Sequence, residues 1–308
     1  MGILAIGAVF VDIKGFPYDN YLPTGRNAGR VEYVHGGVAR NVIEDIANVE
    51  LRPMFLTIVD NTPMGSAVMQ KLNDHKVNTD YIISRPNGMG TWLAVFDNNG
   101  DVAGSISMRP DMMPLAGVLE EKGDEIFAQA DSLVLEVGLD KVIVKSALAL
   151  AKKHNVKTFA LVANMSIAAE RRDLLQQFDC VICNQSEAGI LFLDDYEDKT
   201  PEELRDIVAQ RIALAKIPSM VVTMGAAGAV YANNSGEKGI CPARNVQVKD
   251  TTGAGDAFCA GVTIGMTYGK TMAEAVEIGT TLAASVITSS ENVCPRFLPE
   301  ELGIQMNN

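Results

Sequence analysis

The stretch "VKDTTGAGDAFCAGVTIG", residues 248–265, places the carboxylate of Asp256 directly behind Gly255 and in front of an apolar run. Glycine loses the most backbone entropy on folding and a carboxylate resists burial, so the sequence accepts two costs side by side. A loop that leads into the amino end of a helix explains both. Its backbone N–H groups can approach a ligand closely because side chains are almost absent, and helix amino ends attract anions. We therefore predict an anion site at residues 253–255.

A phosphoryl group in transfer would meet several N–H donors at such a helix end. Asp256 would then hold a nucleophilic hydroxyl group in line with the phosphorus. The helix dipole favours the ionised carboxylate, so we expect a low pKa and a role that is mostly orientation. The alternative is a glycine turn in which Asp256 only caps the helix.

The composition is that of a folded, acidic protein. Hydrophobic residues make up 47% of the 308 residues, which is enough for a substantial core. The 26 Lys and Arg residues against 38 Asp and Glu residues give a net charge of −12. This charge argues against nucleic acid polymers and anionic membranes as partners, so any phosphate site must be local.

No apolar stretch reaches the roughly 18–20 residues that a membrane span needs, and the initial segment "MGILAIGAVFVDI" lacks a basic region. The five cysteines are an odd number without a secretory signal, which indicates reduced thiols. We therefore expect a cytoplasmic protein that has no membrane partner.

Apolar, strand-like segments alternate with helical patterns along the chain. The helical patterns include residues 143–153 and 201–216. The strand-like segments are residues 3–13, 54–59, 132–137, 156–163, 180–183 and 220–225. This alternation predicts an α/β fold with a mainly parallel central sheet and helices on both faces.

Two segments depart from this alternation. Residues 13–35 carry turn residues followed by "GRVEYV", and "TWLAVFDNNGDVAGSISM" (91–108) contains two alternating strands around an Asn-Asn-Gly turn, a hairpin signal. We predict a single domain of residues 1–308 with an inserted β lid from about residues 13–35 and 89–110. Lid strands with unpaired edges often pair with another chain, which predicts a homodimer through the lid.

Four segments together resemble the PfkB, or ribokinase-like, family of carbohydrate kinases. The "DTTGAGDAF" stretch resembles the second signature of the family, and "GGVARN" (36–41) resembles its sugar-binding hinge. "NQSE" (184–187) is similar to its Asn-x-x-Glu motif, and "TMGAAG" (223–228) to its nucleotide-binding turn. The four motifs occur in the family's order, and the resemblance covers essentially the whole chain. It implies a ribokinase-like fold and an ATP-dependent kinase that phosphorylates a primary hydroxyl of a sugar or nucleoside.

The resemblance also implies roles for the residues that match the family's motifs. Asp256 would be the catalytic base, and Gly253, Ala254 and Gly255 would form the anion hole. The residues implied to bind ATP are Asn184, Thr223, Gly225 and Gly228. Asn184 and Glu187 would hold Mg²⁺, largely through water, which suits an ion that prefers oxygen ligands and keeps several waters. A strand end followed by a helix cap is the alternative for "NQSE".

Five residues match the positions that bind sugar hydroxyls in the family, namely Asp12, Gly36, Gly37, Asn41 and Glu136. Taken singly, Asp12 and Glu136 would be interpreted as surface acids at strand ends, and only the match to the family favours the sugar-binding role. Asp250 and Thr252 match the family's loop for a monovalent cation, which implies K⁺. The rest of that loop, around "SSENVC" (289–294), is too divergent to assign.

The substrate prediction depends on the hinge. Val38 stands where ribokinases carry a lysine, which counts against free ribose, and "GRVEYVHGGVARNVIEDIA" resembles the pseudouridine kinase branch. We expect pseudouridine to be converted to pseudouridine 5′-phosphate. The alternatives are a kinase for ribose, fructose or 2-keto-3-deoxygluconate, and a non-catalytic sugar- or nucleoside-binding sensor.

Contacts with the base are predicted on the lid and beside the hinge. The lid residues expected to contact the base are Val31, Tyr33, Trp92 and Val95. Arg40 would either contact the carbonyl oxygens of the base or form a surface ion pair.

Overall fold

The computed structural model describes residues 2–305, in which strands and helices alternate. The strands are β1 (Ile3–Ile6), β2 (Phe10–Pro17), β3 (Gly29–Gly36), β4 (Met54–Leu56), β5 (Ile58–Val59), β6 (Ile83–Ser84), β7 (Gly90–Phe96), β8 (Val102–Met108), β9 (Ser132–Glu136), β10 (Lys157–Leu161), β11 (Cys180–Asn184), β12 (Ser219–Thr223), β13 (Ala229–Asn233) and β14 (Lys238–Cys241). The helices are α1 (Val38–Asn48), α2 (Pro63–Asp74), α3 (Pro114–Phe127), α4 (Lys141–His154), α5 (Met165–Ala169), α6 (Arg172–Leu175), α7 (Gln185–Phe192), α8 (Pro201–Ala215), α9 (Ala254–Thr267) and α10 (Met272–Ile287).

The main sheet has eight strands in the order β14-β13-β12-β11-β10-β9-β1-β4. Strands β4, β1, β9, β10, β11 and β12 are parallel to one another, whereas β13 pairs antiparallel with β12 and β14 pairs antiparallel with β13. The predicted mainly parallel α/β sheet is confirmed. Within residues 2–305, no helix combines the length and the apolar character that crossing a membrane requires.

Helices cover both faces of the main sheet, as alternate residues of its strands show. In β9, Leu133 and Leu135 belong to the core that includes α3, α4, α7 and α8. Val134, between them, belongs to the core that includes α1, α2, α9 and α10. Burial of both faces explains why these strands are apolar without a break.

Two of the predicted strands are interrupted. In the segment 3–13, β1 ends at Ile6 and the chain enters a different sheet at Phe10. In the segment 54–59, Thr57 separates β4 from β5, and its hydroxyl donates to the carbonyl of Gly7 at 2.6 Å. The residues at both breaks are buried although the chain changes direction there. The hydropathy of the sequence therefore does not predict where these strands end.

The second sheet has four strands in the order β3-β2-β7-β8. β2 and β7 are parallel, whereas β2 with β3 and β7 with β8 are antiparallel. The hairpin predicted within residues 91–108 is present as β7 and β8. The second sheet lies in the segments expected to form a lid, except that β2 begins at Phe10, before residue 13.

Candidate active site

The carboxyl ends of the parallel strands meet at one edge of the main sheet, where open α/β sheets bind their ligands. Glu136 is the last residue of β9, Asn184 of β11 and Thr223 of β12. Two cavities lie along this edge.

The larger cavity has a volume of about 680 Å³ and lies between the main-sheet edge and the second sheet. Its volume is in the range of small-molecule sites, roughly 300–1,000 Å³. All five residues predicted to bind sugar hydroxyls line it, namely Asp12, Gly36, Gly37, Asn41 and Glu136. The structure thus brings together residues that lie up to 124 positions apart, from Asp12 to Glu136.

Asp12 offers free acceptor atoms to this cavity. Its partly buried carboxylate has no hydrogen-bond partner within residues 2–305, and burial raises its pKa while the charges of Lys14 and Arg40 lower it. A Cβ atom at Gly36 would lie 2.7 Å from Asp12 Oδ1. Glycine is therefore needed at position 36 so that the carboxylate can lie against the hinge.

Glu136 is a buried acid rather than a surface residue. Its Oε2 accepts a hydrogen bond from the Ala8 N–H at 2.9 Å. Burial raises the pKa of Glu136, and the Ala8 N–H and the charge of Arg109 oppose that rise. The carboxyl group thereby joins the end of β9 to the segment that follows β1.

The smaller cavity has a volume of about 250 Å³. Five of the predicted catalytic, nucleotide and metal residues line it, namely Asn184, Glu187, Thr223, Gly255 and Asp256. Gly225 begins a 3₁₀ turn and Gly228 ends it with φ 96°. Neither of these two glycines lines this cavity, so their ATP contacts stay a prediction.

The "NQSE" segment forms a capping box at the amino end of α7. Asn184 Oδ1 accepts from the Glu187 N–H, and Glu187 Oε2 accepts from the Asn184 N–H, both at 2.8 Å. The helix-cap alternative therefore describes the local structure, but it leaves Glu187 Oε1 without a hydrogen bond in the described chain. Burial raises the pKa of Glu187, and the Asn184 N–H opposes that rise.

The surroundings of Glu187 suit a metal ion that keeps its own water. The described part of the chain contains no group of three or more His, Cys, Asp or Glu residues that could hold a metal. Mg²⁺ commonly binds through one or two carboxylates, waters and substrate phosphates. A single carboxylate oxygen beside the predicted anion site fits this pattern.

The amino end of α9 has the form expected of an anion site. Gly253 adopts φ 83°, and a Cβ atom there would lie 2.0 Å from the Asn292 carbonyl oxygen, so only glycine fits. At Gly255, by contrast, an added Cβ atom would meet no described atom within 4 Å. The backbone at Gly255 therefore faces open space, as an approaching phosphate would require.

Asp256 stands where the two cavities meet. It lines the smaller cavity, and its Oδ2 accepts a 2.6 Å hydrogen bond from Nδ2 of Asn41, which lines the larger one. Burial raises the pKa of Asp256 to about 7, whereas the Asn41 hydrogen bond and the Arg40 charge lower it. The predicted low pKa is wrong, because removal of water from the carboxylate outweighs the contacts that favour its ionised form. At neutral pH Asp256 can both accept and release a proton.

Arg40 lies inside the protein and not at its surface. Its side chain is 1% exposed and donates to Glu44, to Asn41 Oδ1 and to the carbonyl oxygens of His35 and Gly36. Both predictions for Arg40, a base contact and a surface ion pair, are wrong. The Arg-to-Glu spacing of four positions on α1 was the signal for the buried pair.

Two further parts of the site were difficult to read from sequence. Asn292, in the divergent "SSENVC" segment, donates to Asn41 Oδ1 at 3.2 Å and to the His35 carbonyl at 3.1 Å. Thr252 lines the larger cavity, and its N–H donates to Asp250 Oδ1 at 2.9 Å. The K⁺ assignment for Asp250 and Thr252 stays a prediction.

Only one of the four predicted base-contacting residues of the second sheet lies on the cavity side. Asp12 is paired with Trp92, and both line the larger cavity. Because side chains alternate between faces, the register places Val31, Tyr33 and Val95 on the opposite face. That outer face is exposed, with Val31 at 60% and Tyr33 at 61%. Their predicted role is wrong.

The sequence and the fold define a class of protein. The pattern of the pfkB family carbohydrate kinases matches residues 2–294. The chain therefore belongs to the PfkB family of carbohydrate kinases, and it is a sugar or nucleoside kinase. Use of ATP and a small-molecule sugar or nucleoside acceptor follow from this membership.

Individual relatives differ in their acceptors. The chain is 34% identical over 292 residues to a guanosine-inosine kinase of Exiguobacterium acetylicum, covering 94% of this chain and 95% of the relative. It is 25% identical over 279 residues to a pseudouridine kinase of Escherichia coli (strain K12), covering 89% and 86%. The structure of Arabidopsis thaliana ribokinase complexed with ribose and ATP superposes with a TM-score of 0.84 at 20% identity, covering 99% of both chains. The last comparison supports the ribokinase-like fold.

Proposed function

We propose that the protein transfers the γ-phosphoryl group of ATP to the 5′-hydroxyl of a ribonucleoside, with guanosine and inosine as preferred acceptors. The observation that carries this proposal is the larger cavity. It extends from Asp12 and Asn41 at the hinge to Trp92 and Arg109 at the second sheet, which leaves room for a base beside a ribose. The guanosine-inosine kinase relative supports the choice of base.

Pseudouridine is the second candidate acceptor, and the Escherichia coli relative supports it. A flat uracil could stack on Trp92 as a purine would, since stacking on an aromatic ring tolerates any base. The 34% identity to the guanosine-inosine kinase against 25% to the pseudouridine kinase favours the purine nucleosides. A free-sugar kinase would leave the Trp92 side of the cavity unfilled.

The ribose hydroxyls would donate to the free carboxylate of Asp12, which otherwise has no hydrogen-bond partner in residues 2–305. A partly buried acid is stabilised when such donors replace lost water. The Gly36–Gly37 hinge lets the ligand approach the backbone. This arrangement would direct the 5′-hydroxyl towards Asp256.

Asp256 would accept the proton of the 5′-hydroxyl as its oxygen bonds to the γ-phosphorus and the bond from phosphorus to the ADP oxygen breaks. The backbone N–H groups at residues 253–255 would stabilise charge on the phosphoryl oxygens. When bound, Mg²⁺ would neutralise charge on the ATP phosphates. Glu187 would orient it through water, with Asn184 beside it.

The first prediction concerns the acceptor. In an ADP-release assay at fixed Mg·ATP, kcat/KM for guanosine and inosine should exceed that for ribose by at least about tenfold, or roughly 1.4 kcal/mol. The panel includes adenosine, uridine, pseudouridine, fructose and 2-keto-3-deoxygluconate. A free sugar as the best substrate would refute the nucleoside proposal. If the protein consumed no ATP with any acceptor, we would conclude that it is a non-catalytic sensor.

The second prediction concerns Asp256. Asp256→Asn keeps the side-chain volume but removes the proton acceptor, so kcat should fall by about 10²–10⁴ with ATP binding nearly unchanged. Circular dichroism verifies the fold. More than about a tenth of the wild-type rate in a folded variant would contradict the role.

The pH profile gives an independent measurement of the same group. Asp256 accepts a proton only when ionised and has a pKa of about 7, so wild-type kcat/KM should fall as the pH decreases through about 7. The residual activity of Asp256→Asn should not show this fall. If Asp256→Asn still lost kcat/KM as the pH decreased through about 7, a group other than Asp256 would cause the fall.

The third prediction concerns Glu187, for which Glu203 provides a matched control. Both glutamates complete capping boxes, at the amino ends of α7 and α8. Glu187→Gln should raise the Mg²⁺ concentration for half-maximal rate by about tenfold, more than it raises the KM of the nucleoside. Glu203→Gln should leave the Mg²⁺ titration unchanged. Equal titrations for both variants would leave Glu187 as a helix cap only.

We also propose that the protein forms a homodimer and that the outer face of the second sheet is the interface. Apolar side chains are exposed there, including Leu93 at 40% and Ile106 at 71%, in addition to Val31 and Tyr33. Sedimentation at micromolar concentration should give the dimer mass. Ile106→Lys should give a monomer, whereas Leu214→Lys on α8, which is 79% exposed, should not. If the wild-type protein sediments as a monomer, this proposal is wrong.

The cytoplasmic location of the protein stays a prediction.

A further inference from the structure

The strand register of the second sheet aligns three residues of the larger cavity. Asp12 on β2 is paired with Trp92 on β7, and Trp92 is paired with Ser107 on β8. Paired residues share a face of a sheet. Arg109 lies two positions beyond Ser107 and lines the same cavity. The base of an acceptor whose ribose lies at Asp12 would therefore lie over Trp92, in a cavity that Arg109 also lines.

Arg109 extends from the second sheet towards the main-sheet edge. Its Nη1 lies 4.0 Å from the position that a Cβ atom on Gly138 would occupy, just after β9. Its charge also acts on Glu136 across the cavity. The guanidinium group of Arg109, which directly follows β8, thus lies near the main-sheet edge.

The N–H groups of Arg109 are free to bind a ligand. Among the residues that the structure describes, Arg109 has no hydrogen bond and no ion pair, and it is exposed to solvent. Arg171, the other arginine that lines this cavity, already donates to the carbonyl oxygens of Val137 and Leu139. A ligand at Arg109 would therefore break no hydrogen bond or ion pair among the described residues.

We infer that Arg109 selects 6-oxopurine nucleosides by donating two hydrogen bonds to O6 and N7 of the base while the base stacks on Trp92. This inference rests on the proposed nucleoside kinase function. A guanidinium group has donors and no acceptor, so it matches the two adjacent acceptors that guanine and hypoxanthine share. Adenine presents an amino donor in place of O6, and uracil has no N7. The arginine therefore discriminates against both.

The test combines a substitution in the enzyme with an atom replacement in the substrate and compares the effects of the two changes made singly and together. Arg109→Gln should lower kcat/KM for guanosine and inosine by about 10–100-fold, and for adenosine by less than about threefold, with the KM of ATP unchanged. With wild-type enzyme, 7-deazaguanosine lacks the N7 acceptor and should be about tenfold poorer than guanosine. With Arg109→Gln, 7-deazaguanosine and guanosine should be nearly equal, because the variant has already lost that contact.

Arg30 provides the control on the same sheet. It is 51% exposed, pairs with Glu32 and lines neither cavity. Arg30→Gln should therefore leave the ratio of guanosine to adenosine activity unchanged. Should Arg109→Gln fail to fold, the wild-type ratio of guanosine to 7-deazaguanosine decides, and a ratio below about twofold overturns the inference.

Two failures can be distinguished. If wild-type enzyme phosphorylates no nucleoside, the proposed function is wrong. If wild-type enzyme prefers guanosine but Arg109→Gln lowers guanosine and adenosine activity equally, the function stands and Arg109 does not select the base.

Discussion

A buried guanidinium group is the constraint on which both cavities depend. Removing a charge from water costs several kcal/mol unless the charge is paired and its remaining donors are satisfied. Arg40 meets both conditions. Glu44 forms an ion pair with it, and the carbonyl oxygens of His35 and Gly36 accept hydrogen bonds from its other N–H groups. These two carbonyl oxygens accept from Arg40 in the observed conformation of the Gly36–Gly37 hinge. The buried charge beneath the hinge therefore helps to hold the backbone that shapes the larger cavity.

The same requirement orients the side chain that joins the two cavities. Asn41 Oδ1 accepts from Arg40 and from Asn292, so the amide must present its Nδ2 donor on the other side. That donor reaches Asp256. A hydrogen bond donated to a carboxylate favours its ionised form, whereas burial favours the protonated form. Burial is the larger effect, and the opposing contacts leave the pKa of Asp256 at about 7, where a carboxylate exchanges protons readily at neutral pH.

The second sheet illustrates how one structural element can have two uses. Its inner face brings Asp12 and Trp92 to the same cavity, and its outer face exposes Tyr33 and Ile106. Alternation along a strand separates polar ligand contacts from apolar surface at no further cost. The alternation was visible in the sequence, but the choice of face was not, because it depends on the register between β2 and β7 and on which side the main sheet lies. This is why Trp92 lies on the cavity side of the sheet while Tyr33 does not.

The sequence by itself determined the α/β class and the hairpin at residues 91–108, because apolar alternation and turn residues act within a few positions. The residues that line the two cavities were predicted from the resemblance of short motifs to the PfkB family, which the sequence also carries. Only the tertiary structure decided that Arg40 is buried, that Arg109 faces the larger cavity and that Asp256 has a raised pKa. Desolvation, strand register and contacts between distant segments set these properties. Each of these properties depends on many residues that are distant in the sequence, so no short segment of the chain predicts it.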